Sequence, residues 1–574
     1  EHPHSATVLN RGLDVLSAEL SLPAASPFNP FGREVLVALN ETAPRLGDNY
    51  SEARIGFSSG VAGLLLRLPA EWRVSLDAQY ARNVVRYRGL AGVDAGRWQE
   101  LVDQGLYNPL RDTQLGGPPA DFYNRALVFR GGRDRFITLG NYDTLDAAAR
   151  VTNQSLNLPT GRAAVIAGAD YRRQRLADYR EDSLYDDDTP AGDPTVRSGR
   201  TLQRYSFFGE LQAPLLPARL LPRWLHQLET DMAARYVASD QANEVNVAPT
   251  FGLKAVFAGG LSFHASVTDS NRFPTPQLSK PVSGPSGPGG GLNLETITDP
   301  QRRESYAVHT DEVVDAGLPP EDAITQTAGL ILERGDEHRF RARLDFVDTR
   351  KTNEILFLGS NELLSVEALY PDRVIRDPLA PGDPHAVGRI TRLRTGSVNA
   401  SWRRSQNWTA TLEYAWTGCA GGTLELRTRL LYYQRYERQL FANSPVVDQL
   451  NHPDGTTPLL RYRGDFNASW SNRRYGFGLD GQYFHSRILP VIEQAAQGGD
   501  RIKLYWQFDA FAQVDLSPWL PWKNGHHGLR AQIRINNLSG FDYPKYVNDS
   551  SGAGVQPYGD WRGRTYSLSL TATF

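Results

Sequence analysis

The chain has 574 residues, of which 22% are charged and 10% aromatic, and its 62 basic and 64 acidic side chains leave a net charge of −2. Such a balance provides no global field to draw in nucleic acid or an anionic surface. One cysteine, Cys419, excludes an internal disulfide and any multi-cysteine metal site.

Mean hydropathy is −0.44, and no stretch approaches the roughly 18 to 20 apolar residues of a spanning helix. The longest candidate, Val61 to Leu68, is short and carries Arg67. Helical membrane proteins are thereby excluded, whereas barrels are not, because barrel strands alternate lipid-facing and lumen-facing side chains. The chain starts at Glu1 with neither Met nor a signal peptide, which reads as a processed form or a fragment.

In chain order, Asn83 to Ala149 is the least regular region and reads either as one very long loop or as a loop with two further strands. Val247, Phe251, Leu253, Ala255 and Phe257 run into the turn Ala258-Gly259-Gly260, and Leu261, Phe263, Ala265 and Val267 lead back out. Gly284 to Gly291 reads as a Gly/Pro-rich loop tip. Phe340, Ala342, Leu344 and Phe346 alternate with Arg339, Arg341, Arg343 and Asp345. Trp506, Phe508, Ala510, Ala512 and Val514 alternate with Gln507, Asp509, Phe511, Gln513 and Asp515. Leu529, Ala531, Ile533 and Ile535 alternate with Arg530, Gln532, Arg534 and Asn536. The final strand sets Tyr566, Leu568, Leu570, Ala572 and Phe574 against Ser567, Ser569, Thr571 and Thr573. A strict period of two marks strands with one apolar and one polar face.

The polar faces carry too many charges for a sandwich core, since an unpaired buried charge costs several kcal/mol or more. Apolar outside and polar inside is a barrel in lipid. Link lengths agree. Short ones (Pro69 to Glu71, Ala258 to Gly260, Arg334 to His338, Thr417 to Gly422, Ser471 to Arg474) alternate with long ones. The long ones include Ser26 to Ser51, Leu176 to Thr201, Leu278 to Glu321, Tyr436 to Pro458, Arg487 to Ile502 and Leu538 to Arg562. Short periplasmic turns and long extracellular loops produce this parity. The predicted fold is an all-β, antiparallel transmembrane barrel over residues 1–574, with about 18 readable strands.

Several features look like sites. Gly56-Phe57-Ser58-Ser59-Gly60 matches a nucleophile pattern that requires a sharp turn into a helix; no helix is predicted there, so it reads as a small-residue strand. The acidic residues Glu181, Asp182, Asp186, Asp187, Asp188 and Asp193 lack the spacing of a calcium loop and read as solvated loop. His526 and His527 have no third metal ligand near in sequence, and the neighbouring Trp519 and Trp522 read as interfacial anchors. Inward charges (Glu229, Asp231, Arg235, Arg339, Arg341, Arg343, Asp345, Asp509, Asp515, Arg530, Arg534) either pair with one another and with a plug, or shape a substrate path. No nucleophile and base constellation is found, so no enzyme is expected, and no cofactor or metal is implied.

Asn29-Pro30-Phe31-Gly32 follows Ser26-Pro27-Phe28, and Leu158-Pro159-Thr160-Gly161 leads to Gly168-Ala169-Asp170-Tyr171-Arg172. Gly209 to Pro214 reads GELQAP and Asn271 to Pro276 reads NRFPTP; Asn536-Asn537-Leu538 runs through Tyr543-Pro544 before Gly563-Arg564. In this order and spacing the segments resemble the barrel of TonB-dependent outer-membrane receptors. The final strand, with Tyr566, Leu568, Leu570 and Phe574, resembles the signal read by the barrel-assembly machinery. The resemblance implies a 22-stranded parent in a Gram-negative outer membrane, surrounded by outer-membrane lipid. Its extracellular face would bind a scarce nutrient (siderophore iron, cobalamin, oligosaccharide or peptide). An N-terminal plug and a segment for the TonB complex would precede the barrel. Neither is recognised here, so the chain is expected to be a C-terminal part of a longer receptor. The alternative is a plugless, passive porin-type channel.

Overall fold

Period two in the sequence becomes sheet because successive residues of a pleated strand stand on opposite faces. The computed structural model describes residues 4–10, 14–43, 51–90, 95–110, 135–177, 179–184, 195–197, 199–240, 245–274, 293–313, 318–379, 381–453, 459–519, 528–540, 544–548, 552–555, 558–559 and 563–573. The loop tip Gly284 to Gly291, Asp186 to Asp188, Asp193, Trp522, His526, His527 and Phe574 lie outside the described residues.

Eighteen strands form a continuous wall. They are β1 (His4–Asn10), β2 (Ser51–Arg67), β3 (Arg73–Leu90), β4 (Arg135–Leu158), β5 (Gly161–Leu176), β6 (Arg200–Pro214), β7 (Leu225–Ser239), β8 (Val245–Phe257) and β9 (Leu261–Arg272). The wall continues with β10 (Glu321–Arg334), β11 (His338–Leu358), β12 (Ile390–Cys419), β13 (Gly422–Gln439), β14 (Tyr462–Ser471), β15 (Tyr475–Phe484), β16 (Tyr505–Asp515), β17 (Gly528–Asn536) and β18 (Thr565–Thr573). Each pairs antiparallel with the next. The sheet holds 24 strands in all, the other six being short segments of the long loops. Among the described residues β1 pairs only with β2, and β18 only with β17.

Between Asn83 and Ala149 the strands run longer than the sequence pattern suggests. β3 continues to Leu90 and β4 starts at Arg135, the two pair directly with each other, and the described part of their connection carries a helix at Ala95–Asp103. Link parity is as expected with one departure: 240–244, between β7 and β8, is a short link on the long-loop side.

The outward face is apolar. Tyr566, Leu568 and Leu570 are 67%, 73% and 64% exposed and lie opposite Ile535, Ile533 and Ala531 of β17. On β12 the outward residues run Trp408, Ala410, Leu412, Tyr414 and Trp416, after which the same face turns polar above at Gln406 and Arg404. Nine residues of tilted strand cover about 20 Å of height, close to the lipid-facing band of such barrels. Aromatic pairs mark both rims: Phe346 with Trp408 (4.8 Å between centroids) and Tyr483 with Trp506 (4.7 Å) above, and His338 with Trp416 (5.2 Å) and Trp470 with Phe477 (6.0 Å) below. No helix among the described residues is long and apolar enough to span a membrane.

Two loop assemblies stand beyond the upper rim. One is the hairpin Asp14–Leu22 with Val35–Ala43, closed by the Asn-Pro-Phe-Gly turn. There the Asn29 amide donates to the carbonyls of Leu22, Pro23 and Arg33 (2.7–3.0 Å), and its oxygen accepts the Phe31 N–H (2.9 Å). Gly32 sits at φ +64°, a conformation that favours glycine. The helix Ala95–Asp103 docks beside it through Gln99, which bonds both the N–H and the carbonyl of Ser21. Leu20, Leu22, Leu101, Val102 and Tyr107 are buried there.

The second assembly is a cap built from Asn293–Asp299, Glu304–Glu312, the helix Ser360–Ser365 and Val374–Arg376. Ile297, Val308, Leu358, Leu363, Val374, Leu393 and Phe441 belong to its own apolar core. Glu304–Glu312 adds to β12 in parallel.

Candidate functional site

The functional surface of such a wall is its lumen face, whose register follows from the outward residues. Most inward charges are paired. Arg235 meets Asp170 (2.6 Å), Arg343 meets Asp345 (2.5 Å), and Arg534 meets Asp480 (2.9 Å) and Asp509 (3.7 Å). Arg341 lies between Glu333 (4.0 Å) and Glu413 (3.7 Å), and Glu229 is 4.0 Å from Lys254. Asp515 caps the turn at Ser517. Arg339 lines an open hollow with Arg341, Arg427 and Arg429. Asp231 and Arg530 also face inward.

Higher in the lumen, two carboxylates are held by several cations. Glu321 binds Lys351 (2.9 Å) and accepts the Ile355 N–H (2.9 Å). Glu354 binds Arg403, Lys351 (3.4 Å), Arg438 (3.6 Å) and the Ser401 hydroxyl (3.1 Å). Both carboxylates are buried, so the surrounding cations are what make their ionised form tolerable.

The cap has a second network. Arg376 grips Asp299 (2.7 Å) and Glu367 (2.7 Å), and the Tyr306 hydroxyl donates to Asp299 (2.7 Å) while accepting the Ile390 N–H (2.9 Å). Burial, the largest influence on Asp299, pushes its carboxyl up. Bonds from Arg376, Tyr306 and the Gln301 N–H outweigh burial and hold it at about 2. Arg302 joins Asp383 (2.8 Å) to Glu304 (3.1 Å), which also meets His385 (3.2 Å) and Arg389 (3.3 Å). The cap is cross-braced.

One part of the upper lumen is different. Arg463 of β14 faces inward and is exposed, with its guanidinium 5.5 Å from the Phe484 ring and 5.9 Å from the Tyr558 ring. Phe484 stacks on Tyr505 at 4.6 Å, and the Tyr505 hydroxyl donates to the Tyr558 carbonyl. Arg487, buried, lies 4.9 Å from the Tyr546 ring, and the Tyr546 hydroxyl donates to Glu493 (2.6 Å).

The chain matches the profile of the family described as TonB dependent receptor-like, beta-barrel, over residues 6–538. It belongs to that family. The receptor barrel also resembles solved structures. Against the siderophore receptor PirA from Acinetobacter baumannii it is 12% identical, with a TM-score of 0.52, over 91% of this chain and 62% of that one. The pyoverdine outer membrane receptor FpvA from Pseudomonas aeruginosa gives 10%, 0.52, 92% and 62%. The outer membrane transporter YddB from Escherichia coli gives 10%, 0.56, 94% and 65%. At such identity the likeness shows the fold. The receptor chain spans somewhat under two thirds of the length of these three proteins. No curated protein matches its sequence.

The other sequence-level candidates fall as follows. Gly56 to Gly60 lies within β2, with no helix after it. Glu181 and Asp182 lie in the loop strand Tyr179–Leu184. Trp519 is exposed below the wall, with Arg474 over its ring at 5.3 Å. No group of potential metal ligands occurs among the described residues. Sequence reading did not single out Glu321, Lys351, Glu354, Arg463, Arg487, Tyr546 or Tyr558. Arg463 carried a weak signal, as a charge on the polar face of a strand; the rest sit near strand ends or in loops, where no period applies.

Proposed function

We propose that this barrel is the outer-membrane part of a receptor that binds a scarce nutrient at its extracellular face and passes it to the periplasm. A plug and the TonB complex would supply gating and energy. Family membership and the likeness to siderophore receptors support the reading, and siderophore iron, cobalamin, oligosaccharide and peptide all remain within it. The family consists of transporters and receptors, so no chemistry is performed on the ligand.

The observation that carries the plug is on β2. Its inward face holds Ile55, Phe57, Val61 and Leu65, which are 37%, 43%, 70% and 57% exposed. Inward Asp77 and Gln79 stand opposite Gly63 and Val61 and fix that direction. Leaving a large apolar side chain in water rather than buried forgoes about 1.5–3 kcal/mol. A water-filled channel would leave this stripe wet, whereas a protein domain inside the lumen would cover it. The test is the reading frame upstream of the codon for Glu1, followed by nutrient uptake in cells with and without TonB. A plug in frame and TonB-dependent uptake are expected. Uptake indifferent to TonB, or ion conductance by the full-length protein at porin level, would overturn the proposal.

A further inference from the structure

Above the aromatic rim the outward face turns from apolar to charged, and it does so differently along the ring. On β11 to β13 the charges satisfy one another. Arg404 binds Asp348 (2.6 Å), Gln406 donates to the same carboxylate (2.8 Å), and Arg435 lies 3.5 Å from Glu437. On β3 to β5 they do not. Arg82, Asp143 and Arg175 form one row across the three strands, with Arg173 two residues below Arg175 and Arg86 four residues above Arg82. All of them share the outward parity of Tyr80, Leu145 and Tyr171, whereas the inward pairs Asp77–Arg150 and Asp146–Arg172 hold the alternate positions.

Asp143 is the one carboxylate among the described side chains on this face of the three strands. It lies 3.6 Å from Arg82 and also accepts the Tyr80 hydroxyl (3.1 Å). Asp240, at the upper end of β7, accepts the Gln203 N–H (2.9 Å). Arg86, Arg173 and Arg175 are exposed and have no ion pair or side-chain hydrogen bond among the described residues. Four guanidiniums around one shared carboxylate leave a positive field at the height of the lipid head groups. Neighbouring strands stand about 5 Å apart and alternate residues of one strand about 7 Å, so Arg82, Arg173 and Arg175 can converge on one oxyanion. Gln203, opposite Arg173, adds a neutral donor. Its oxygen accepts the Tyr171 (2.9 Å) and Tyr205 (3.4 Å) hydroxyls, and its amide nitrogen has no partner among the described residues.

Below the cations the lipid face is shallow. Ala62, Ala78 and Ala147 form one row and Ala149 and Ala169 lie in the next, bounded by Leu64 and Leu76 on one side and by Tyr171 and Phe207 on the other. A trough of methyl groups under a cluster of cations matches a molecule with an anionic head and hydrocarbon chains. The excess of cations favours a phosphomonoester, with close to two negative charges, over a singly charged diester, and guanidinium meets phosphate oxygens at two points.

We propose that the outer face of β3, β4 and β5 holds a lipid of the outer leaflet, its phosphomonoester head bound by Arg82, Arg86, Arg173 and Arg175 and its chains lying in the alanine trough. The site is on the outside of the wall. It depends on the barrel's place in the outer membrane and not on the nutrient or on TonB.

Native mass spectrometry of the full-length protein in detergent tests it, with dipalmitoyl phosphatidic acid as the probe. Phosphatidylcholine with the same chains is the zwitterionic counterpart, and inorganic phosphate is the free anion. Gel mobility before and after heating reports folding. The double variant Arg173→Gln/Arg175→Gln removes two exposed, unpaired side chains. Arg219→Gln/Arg223→Gln removes the same charge from the exposed link between β6 and β7 at the other rim. Wild type and the second variant are expected to retain phosphatidic acid equally, and Arg173→Gln/Arg175→Gln at least fivefold less. Should that variant fail to fold, Arg175→Gln alone decides, with at least a twofold loss. Equal retention by wild type and the folded β5 variant overturns the site, as does an equal loss in Arg219→Gln/Arg223→Gln. Phosphatidylcholine held as tightly as phosphatidic acid overturns it too, and displacement by equimolar inorganic phosphate would replace it with a small-anion site. None of these results bears on nutrient uptake, so the receptor reading stands or falls separately.

Discussion

The inward faces of β2 and β11 have opposite characters although their outward faces are alike. β11 turns Arg339, Arg341, Arg343 and Asp345 inward, three of them in ion pairs within the wall. β2 turns Ile55, Phe57, Val61 and Leu65 inward and leaves them bare. Outward, both present apolar side chains, Leu64 and Leu66 on one and Phe340 and Leu344 on the other. Lipid imposes one requirement on every strand. The lumen imposes whatever its contents require, and the contents differ around the ring.

The largest effect that would sharpen this contrast is at the upper rim of β11. Glu354→Ala should leave Arg403 and Arg438 without their carboxylate and destabilise the folded barrel by about 3–5 kcal/mol. Equilibrium unfolding in urea from lipid vesicles would measure it, and an effect below about 1 kcal/mol would mean that water replaces the carboxylate freely.

On the lipid side, Leu344→Arg should cost about 2–4 kcal/mol, because it places a charge in the hydrocarbon band. Its inward neighbour offers the contrast: Arg343→Leu should change stability by less than half of that. Equal costs in the same unfolding assay would break the assignment of faces.

The β2 stripe lends itself to chemical labelling. In a Cys419→Ser background, Val61→Cys should react with a water-soluble maleimide about tenfold faster in this barrel alone than in the full-length receptor, since accessibility governs thiol reactivity. Equal rates would show that nothing covers the stripe.

The smallest effect concerns the cap. Asp299 is held at about 2, below its ordinary 3.8, and a depressed carboxylate contributes stability above the ordinary value that is lost as pH falls through the depressed one. The cap should therefore resist an acid-active protease unchanged down to about pH 4 and lose about 2 kcal/mol of local stability between roughly pH 4 and 2. Asp299→Asn should abolish that pH dependence, and an unchanged profile in the variant would assign it elsewhere.

Much of this was legible in the residues, for local reasons. The alternation from Phe340 to Phe346 or from Tyr566 to Leu570 is a property of neighbouring positions, and a pleated strand converts it directly into two faces. Asn29 and Gly32 likewise mark a turn that they close themselves. The region from Asn83 to Ala149 was harder because the upper ends of β3 and β4 rise above the lipid, where the outward face no longer has to be apolar and the alternation fades. The buried networks were not legible at all. Glu354 meets Arg403 and Arg438, and Asp299 meets Arg376, each across tens of residues.

The sequence by itself determined that the chain spans a membrane with strands, which side of each strand meets lipid, and the family to which it belongs, because periodicity, link parity and ordered motifs are all local. Tertiary structure alone decided which inward charges neutralise one another, that two loops fold into a braced cap, and that Arg463 and Arg487 converge on Tyr558. Those outcomes depend on strand register and loop packing, which bring together side chains whose positions in the chain carry no mark of their meeting.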